Sequence, residues 1–323
     1  MRALVCRQLG PLGDLVVEDL AAPIPGPGQV VVDVRAAGVN FVDGLICQGQ
    51  YQIKPATPFV PGSEMAGEVS AIGDGVRAVG VGDRVLAFSG FGAFAEQVVV
   101  PEGSAIPIPS GTGFGPAATL VQSYSTALFA LTRRTRIAPG EWILVLGAGG
   151  GIGLAAIDVA VALGGRVIGA ASTPEKLTAA REMGAEATIA YEAEDLKVRA
   201  RELSGGGVDV VVDPVGGGRS EPALRATGPG GRVCVIGFAA GPIPRVPLNQ
   251  VLLNNRTVVG VDWGAWTLRD PSGARELLDE VLEMVGSGRL HPPVPAEQPL
   301  VDGPKVMADL LDRQVAGKVV LVP

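Results

Sequence analysis

The segment Gly147-Ala148-Gly149-Gly150-Gly151-Ile152-Gly153 follows an apolar run, Trp142 to Leu146, and opens a stretch of helical texture from Ile152 to Leu163. Strand, glycine-rich turn and helix in that order form the setting in which backbone amides cradle a diphosphate. The first amides of a helix lack an intrahelical acceptor, and the helix dipole favours an anion. In register with a dinucleotide fingerprint, Ala148, Gly150 and Gly153 take the three small-residue places: the tight turn, the backbone approach to the pyrophosphate, and the close packing of helix on strand. Ala148 departs from glycine at the first. The N–H groups of Gly150, Gly151 and Ile152 are expected to face the phosphates; the plainer account is a structural turn.

The choice of dinucleotide is read at the end of the next strand. An NAD site usually places Asp or Glu there, about 20 residues on, to hold the ribose hydroxyls. Here the chain reads Ala170-Ala171-Ser172-Thr173, without a carboxylate. Ser172 and Thr173 offer hydroxyls, Pro174 suits a first helical position, and Lys176 falls in the first turn. Together they predict a small cationic pocket for a 2′-phosphate, hence NADPH rather than NADH. The plainer account of Lys176 is an ordinary solvated helix lysine.

These groups need a scaffold. From Met1 to about Gly115 the chain shows short β-rich runs cut by Pro and Gly: Arg2 to Arg7, Gln29 to Ala36, Gly67 to Ile72, Arg84 to Ala87 and Ala95 to Val100. A compact, partly antiparallel, barrel-like domain is expected. After a helix predicted around Ala117 to Leu131, strands and helices alternate, as in a parallel sheet covered on both faces. The strands are Trp142 to Leu146, Arg166 to Ala170, Ala187 to Ala190, Val208 to Asp213, Arg232 to Ile236 and Thr257 to Val261. The helices between them are Ile152 to Leu163, Pro174 to Met183 and Asp195 to Leu203. The tail from about Trp266 holds amphipathic helices Gly273 to Val285 and Lys305 to Gln314 and a last strand Lys318 to Val322. The fold class is therefore α/β: a β-rich domain from residues 1–122 and 266–323, interrupted by a doubly wound parallel-sheet domain, 123–265.

Bulk properties exclude several classes. A chain of 323 residues exceeds what one core usually serves. The net charge of −7, without a long Lys/Arg block, argues against nucleic acid, and Arg133-Arg134-Thr135-Arg136 reads as a helix end. Every apolar stretch is broken, as Asp158 breaks Leu154 to Leu163, so no segment is long enough to span a bilayer. Met1 to Asp14 lacks a signal-peptide core, which makes a cytoplasmic location the expectation. Cys6, Cys47 and Cys234 are scattered, poor material for disulfides or a metal, with Cys6 and Cys234 read as buried strand residues. The single histidine, His291, precedes Pro292-Pro293 in a turn-like stretch and is not expected to be a ligand.

The order of further motifs carries a family resemblance. A-A-G-V-N-F-V-D at Ala36 to Asp43, G-Q-Y at Gly49 to Tyr51, P-F-V-P-G-S-E-M-A-G-E-V at Pro58 to Val69 and G-D-R-V at Gly82 to Val85 come first. A-E-Q-V-V-V-P at Ala95 to Pro101 and T-A-L-F-A-L at Thr126 to Leu131 then precede the glycine turn. Over nearly its whole length the chain resembles the medium-chain dehydrogenase/reductase superfamily, in the branch of zinc-independent quinone reductases, the zeta-crystallin-like proteins. The resemblance implies a GroES-like catalytic domain, an inserted Rossmann domain, a cofactor cleft between them, and a homodimer paired through the edge strand Thr257 to Val261. Zinc-containing relatives carry Cys where Asn40 stands and His where Ser63 stands, and neither replacement is a usual zinc ligand. Only nine residues separate Val85 from Ala95, without cysteine, so a structural zinc lobe is missing too. No metal is expected.

By the same resemblance, Asn40 and Thr126 would lie by the nicotinamide ribose and carboxamide, and Tyr191 beside the adenine. Ile236-Gly237-Phe238 and Trp263-Gly264 would lie along the nicotinamide, with Lys318 approaching the cleft. The plain readings are a turn amide for Asn40, core packing for Phe238 and a buried strand neighbour for Trp263. Related enoyl reductases place a tyrosine in a G-x-Y context as proton donor, so Tyr51 is either a general acid or an aromatic cap. Many quinone reductases carry Arg where Cys47 stands, so a cationic substrate contact is missing. The leading expectation is one- or two-electron reduction of a quinone by NADPH, with Asn40 and Tyr51 as catalytic candidates. The alternatives are reduction of an enal, enone or enoyl thioester through Tyr51, and an NADPH-binding protein without catalysis.

Overall fold

Runs of valine and alanine punctuated by Gly and Pro do become strands. In the computed structural model, which describes residues 1–323, two units form, Met1–Gln122 with Pro293–Pro323, and Ser123–Pro292. Numbered along the chain, the first unit contains β1 (Arg2–Val5), β2 (Val16–Asp19), β3 (Gln29–Gly38), β4 (Glu64–Ile72), β5 (Arg84–Phe88), β6 (Gln97–Pro101) and β7 (Ala105–Pro107). The second contains β8 (Trp142–Leu146), β9 (Arg166–Ala171), β10 (Ala187–Ala190), β11 (Val208–Asp213), β12 (Thr227–Val235) and β13 (Thr257–Gly260). The chain then returns to the first with β14 (Ala296–Pro299) and β15 (Val319–Val322).

In the first unit the sheet order is β14-β15-β3-β4-β5-β7, with β6 also on β3, while β1 and β2 form a separate hairpin of which the sequence pattern indicates only the first strand. The long strand β3 is the spine. Its Val30, Val32 and Val34 join Met65, Val69, Val85, Phe94 and Val100 in the buried core. The register puts Gly38 opposite both Glu64 and Val320, so the end of β3, the start of β4 and the start of β15 meet at one end of the sheet. There the chain turns into a short helix, Phe41–Cys47, absent from the sequence reading. Its start is a reciprocal cap: the Asn40 N–H donates to Asp43 Oδ2 (2.8 Å), and the Asn40 side chain accepts from the Asp43 backbone. Cys6 and Cys234 are buried, Cys6 just past β1 and Cys234 in β12. Cys6 and Cys47, far apart in sequence, are both fully buried in the same core, and the Cys6 thiol donates to Gln8 O (3.3 Å).

In the second unit six strands run parallel in the order β10-β9-β8-β11-β12-β13. The helix expected around Ala117 to Leu131 is instead a series: α-turns Phe114–Ala117 and Ser125–Leu128 alternate with π-helical turns Leu120–Tyr124 and Phe129–Arg134. The Thr135 N–H reaches back five residues to Ala130 O (3.0 Å), and the Thr132 and Thr135 hydroxyls bond to Leu128 O and Ala130 O, widening the last turn. A further helix, Ser220–Ala226, joins β11 to β12 where the sequence reading has none. Residues 266–292 group with this unit rather than rejoining the first at about 266. Trp266 stacks on Phe129 (centroids 4.5 Å apart), Arg133 pairs with Glu280 (2.7 Å), and the helix Pro271–Gly286 buries Leu277, Leu278, Val281, Leu282 and Met284.

Asp158, the charge that breaks the apolar helix Gly151–Ala162, is itself buried. It accepts the Tyr124 hydroxyl (2.8 Å) and the His291 backbone N–H (2.7 Å). Tyr124→Phe strips one donor from a buried carboxylate and is expected to lower stability by about 1–3 kcal/mol, read as a shift in the urea midpoint. Asp43 offers a second test. Its burial, opposed by the Asn40 N–H and the Lys318 charge and assisted by Glu64, pushes its pKa up to about 7. Between the pKa of an unfolded Asp and that value the folded chain binds the extra proton. This contribution to stability is therefore full at low pH and is lost as pH rises through 7. Asp43→Asn is expected to gain on the wild type from pH 4 to 7 by up to about 1.4 kcal/mol per pH unit, as judged from paired denaturation curves. A gap that stays constant over that range would rule out the raised pKa.

Candidate functional site

Because β8 to β13 all run one way, their carboxyl ends share one edge of the sheet. From β8 the chain moves outward to β9 and β10, then crosses back to β11 on the other side of β8. Ligands of open parallel sheets sit at this switch point. The glycine turn leaves β8 there. Gly147 adopts φ 59°, and the Gly150 N–H closes the turn on Gly147 O (2.9 Å). That bond removes Gly150 from the expected phosphate donors. The first helical bond runs from Leu154 N to Gly150 O (2.9 Å), so the orphan amides are those of Gly151, Ile152 and Gly153, one residue further on than the sequence pattern suggests. A Cβ on Gly153 would lie 2.8 Å from Gly147 C and 2.9 Å from Ala148 Cα, so only glycine lets the helix start this close. Ala148 is fully buried, and its N–H donates to Ala170 O (3.0 Å), which ties the turn to β9.

The neighbouring loops close around this turn. Thr173 caps the helix Pro174–Glu182 by accepting the Lys176 N–H (3.4 Å), and Lys176 crosses directly over the glycine turn: a Cβ on Gly149 would lie 2.7 Å from Lys176 Cα. Ser172 and Thr173 are half-buried beside it. Glu175, which the sequence reading passes over, shares this first turn. Its own N–H and the Thr173 hydroxyl hold its carboxyl below the usual range. On the other side, a Cβ on Gly147 would meet Val215 Cγ2 at 2.9 Å, and one on Gly216 would meet the Phe238 ring at 2.8 Å, so the ends of β8, β11 and β12 abut.

Asp213, likewise absent from the sequence reading, organises that corner. Buried at the end of β11, it accepts Val215 N (2.9 Å), Gly216 N (2.8 Å) and the Ser220 hydroxyl (2.6 Å), while its carbonyl accepts Ile236 N (2.9 Å). An aspartate ending a strand before Gly216-Gly217-Gly218 is the available signal. Phe238 is 38% exposed beside half-buried Ile236 and Gly237, at a loop surface rather than in the core. Tyr191 follows β10 with the Arg219 guanidinium over its ring, 4.4 Å from the centroid. Arg219 is anchored on Tyr191 O (2.8 Å) and Glu192 (2.6 Å). Nothing local in the sequence announces that contact. Trp263 and Gly264 open the helix Trp263–Arg269, capped by Asp262, so Trp263 is not a strand neighbour. Thr126 is buried between the two π-helical turns.

Asn40, Tyr51 and Lys318 belong to the first unit. Asn40 and Lys318 come together at the strand ends described above, whereas Tyr51 lies past the far end of the helix Phe41–Cys47, half-buried. Lys318 is buried and donates to Asn40 Oδ1 (2.7 Å), Glu64 Oε1 (3.0 Å) and Val39 O (3.3 Å). Asn40 Nδ2 donates to Glu64 Oε1 (2.9 Å), and Glu64 Oε2 accepts Gln122 N (2.9 Å). Gly38 makes room for this carboxylate: a Cβ there would lie 2.7 Å from Glu64 Oε1. Ser63 accepts from Gln122 Nε2 (2.7 Å). The positions that match zinc ligands are thus an amide bonded to an ammonium and a hydroxyl bonded to an amide, and no His/Cys/Asp/Glu group that could hold a metal is assembled. No helix is long and apolar enough to cross a membrane.

Residues 26–110 match the alcohol dehydrogenase GroES-like domain family, and residues 151–285 match the family described as zinc-binding dehydrogenase. The chain is 41% identical to the quinone oxidoreductase-like protein 2 homolog of Nematostella vectensis, over 99% of this chain and 88% of that protein. Among solved structures it superposes on the quinone oxidoreductase of Thermus thermophilus, known also in complex with NADPH, with TM-score 0.85 and 37% identity over all of both chains. It superposes likewise on the Escherichia coli quinone oxidoreductase complexed with NADPH, with TM-score 0.88 and 29% identity over all of both chains. With a GroES-like unit and a six-stranded parallel Rossmann sheet, the chain belongs to the medium-chain dehydrogenase/reductase superfamily, in its quinone oxidoreductase-like branch.

Proposed function

We propose that the protein is a zinc-free, NADPH-dependent reductase of quinones. The observation that carries this reading is the glycine turn at the switch point, with three orphan amides at its helix start and Lys176 laid across it. The donor set fits a dinucleotide: Gly151, Ile152 and Gly153 hold the pyrophosphate, with Ala148 and Gly150 shaping the turn. Ser172, Thr173 and Lys176 receive the 2′-phosphate, and Tyr191 takes the adenine. At the nicotinamide end the assigned residues are Thr126, Ile236, Gly237, Phe238, Trp263 and Gly264, with Asn40 from the first unit. The chemistry supplied when NADPH is bound is delivery of a hydride to the quinone; solvent provides the remaining proton of the hydroquinone. The chain's own task is to orient the ring, hold the acceptor against it and keep water from the hydride path. Such a task needs no buried acid/base pair. The exposed edge strand β13, paired only with β12, supports a homodimer joined along it.

Two measurements test this reading. In calorimetric titration, Lys176→Ala is expected to weaken NADPH about tenfold, roughly 1.4 kcal/mol, and to leave NADH within about twofold. Equal losses for both coenzymes would remove the 2′-phosphate assignment. NADPH oxidation is then followed with a naphthoquinone, an alkenal and a crotonyl thioester. Turnover of the quinone is expected, with Tyr51→Phe retaining it. If only the unsaturated substrates react and Tyr51→Phe abolishes that reaction, the protein is a double-bond reductase; tight NADPH binding with no turnover would leave a binding protein.

A further inference from the structure

The helix Pro174–Glu182 begins with few donors to offer an anion, and the chain consumes them itself. Its first residue is a proline, which has no N–H, and its first helical bond runs from Leu177 N to Thr173 O (3.1 Å). Only the Glu175 and Lys176 amides are therefore without an intrahelical acceptor. Lys176 N donates to Thr173 Oγ1 (3.4 Å). Glu175 N remains, and it belongs to the one acid of the first turn. That carboxylate lies against its own N–H and the Thr173 hydroxyl, where the positive end of the helix favours its charge. This helix start is packed on the glycine turn, since a Cβ on Gly149 would lie 2.7 Å from Lys176 Cα, and Ser172 directly follows the buried end of β9.

A phosphate brought to Ser172, Thr173 and Lys176 thus meets a carboxylate already on two of the donors it needs. Two anions cannot share them. A ribose 2′-hydroxyl meets no such conflict, because it carries no charge and can itself donate to the carboxylate. Glu175 is exposed, so its side chain can swing into solvent when a stronger anion arrives. We infer that Glu175 is a specificity-determining residue: it holds donors of the 2′-phosphate pocket, must be displaced when NADPH binds, and narrows the preference for NADPH over NADH that Lys176 creates. This inference rests on the reading of Ser172, Thr173 and Lys176 as that pocket.

The test is calorimetric titration of Glu175→Ala and Glu175→Gln with NADPH, NADH and adenosine 2′,5′-bisphosphate. At low salt Glu175→Ala is expected to tighten NADPH and the bisphosphate about fivefold and to leave NADH within about twofold, the scale of removing one exposed like charge. Glu175→Gln, which removes the charge but keeps an acceptor, should give part of that gain, and it replaces the alanine variant should the latter loosen the helix. The gain should shrink in about 1 M salt, where charges are screened beyond about 3 Å. Carboxyl-carbon NMR supplies a readout apart from affinity: the Glu175 signal of the wild type should titrate below the ordinary glutamate range and move up once the bisphosphate has taken its donors. If NADPH binding is unchanged or weaker in both variants, or NADH gains as much as NADPH, while the loss in Lys176→Ala stays selective for NADPH, this inference is overturned and the pocket stands. If Lys176→Ala costs both coenzymes equally, the pocket falls and takes this inference with it.

Discussion

The direction of the strands is the constraint from which the second unit follows. Parallel strands must be joined by crossovers, so every strand of β8 to β13 ends on the same edge, and six loops are forced into one rim. At the switch point two loops leave in opposite directions and open a gap lined by helix starts and turn amides. The glycines are what let that rim close up. Gly147, Gly149 and Gly216 each stand where a Cβ would collide with a neighbouring loop, Gly153 where one would collide with its own turn, and at Gly147 and Gly216 the backbone adopts positive φ besides.

Buried charge is the second organising theme. Glu64 and Asp213 are nearly inaccessible, and each is surrounded by donors, so neither is left as an uncompensated ion. Asp213 spends its oxygens on backbone and hydroxyl donors and shapes a loop; Glu64 faces an ammonium and a carboxamide. At the place where zinc-containing relatives have Cys and His, this chain has Asn40 and Ser63, and the cation beside Asn40 is the Lys318 ammonium. A side-chain ammonium supplies positive charge without an open coordination position, so the geometry suits holding a residue still rather than activating a bound oxygen.

Much of the fold is legible in the sequence because its signals are local. Strand β8, the glycine turn and the following helix are contiguous, and the alternation from Trp142 to Gly260 needs no long-range information. What escapes the sequence depends on partners far along the chain. The widened turn after Thr126 is a local exception, set by the Thr132 and Thr135 hydroxyls bonding to carbonyls four and five residues back. The helix Pro271–Gly286 reads as amphipathic, but amphipathicity does not say which core receives its apolar face. Within the candidate site, Lys176 can be picked out from the first turn of its helix. Glu64 cannot: it falls ahead of the strand read from Gly67 to Ile72, and its meaning appears only when Gly38, Gln122 and Lys318 surround it.

The pairing of β15 with β3 joins residues from the two extremes of the chain. During synthesis the stretch Ser123–Pro292 is complete and continuous well before Lys318 exists, so it can assemble as soon as it is made. The Met1–Gln122 portion must wait with Ala37 and Gly38 of β3 short of their β15 partners and the Glu64 carboxylate short of its counter-ion. The end of β3 is therefore among the last places to reach its final arrangement, and that interval is when its unpaired residues are exposed to wrong partners.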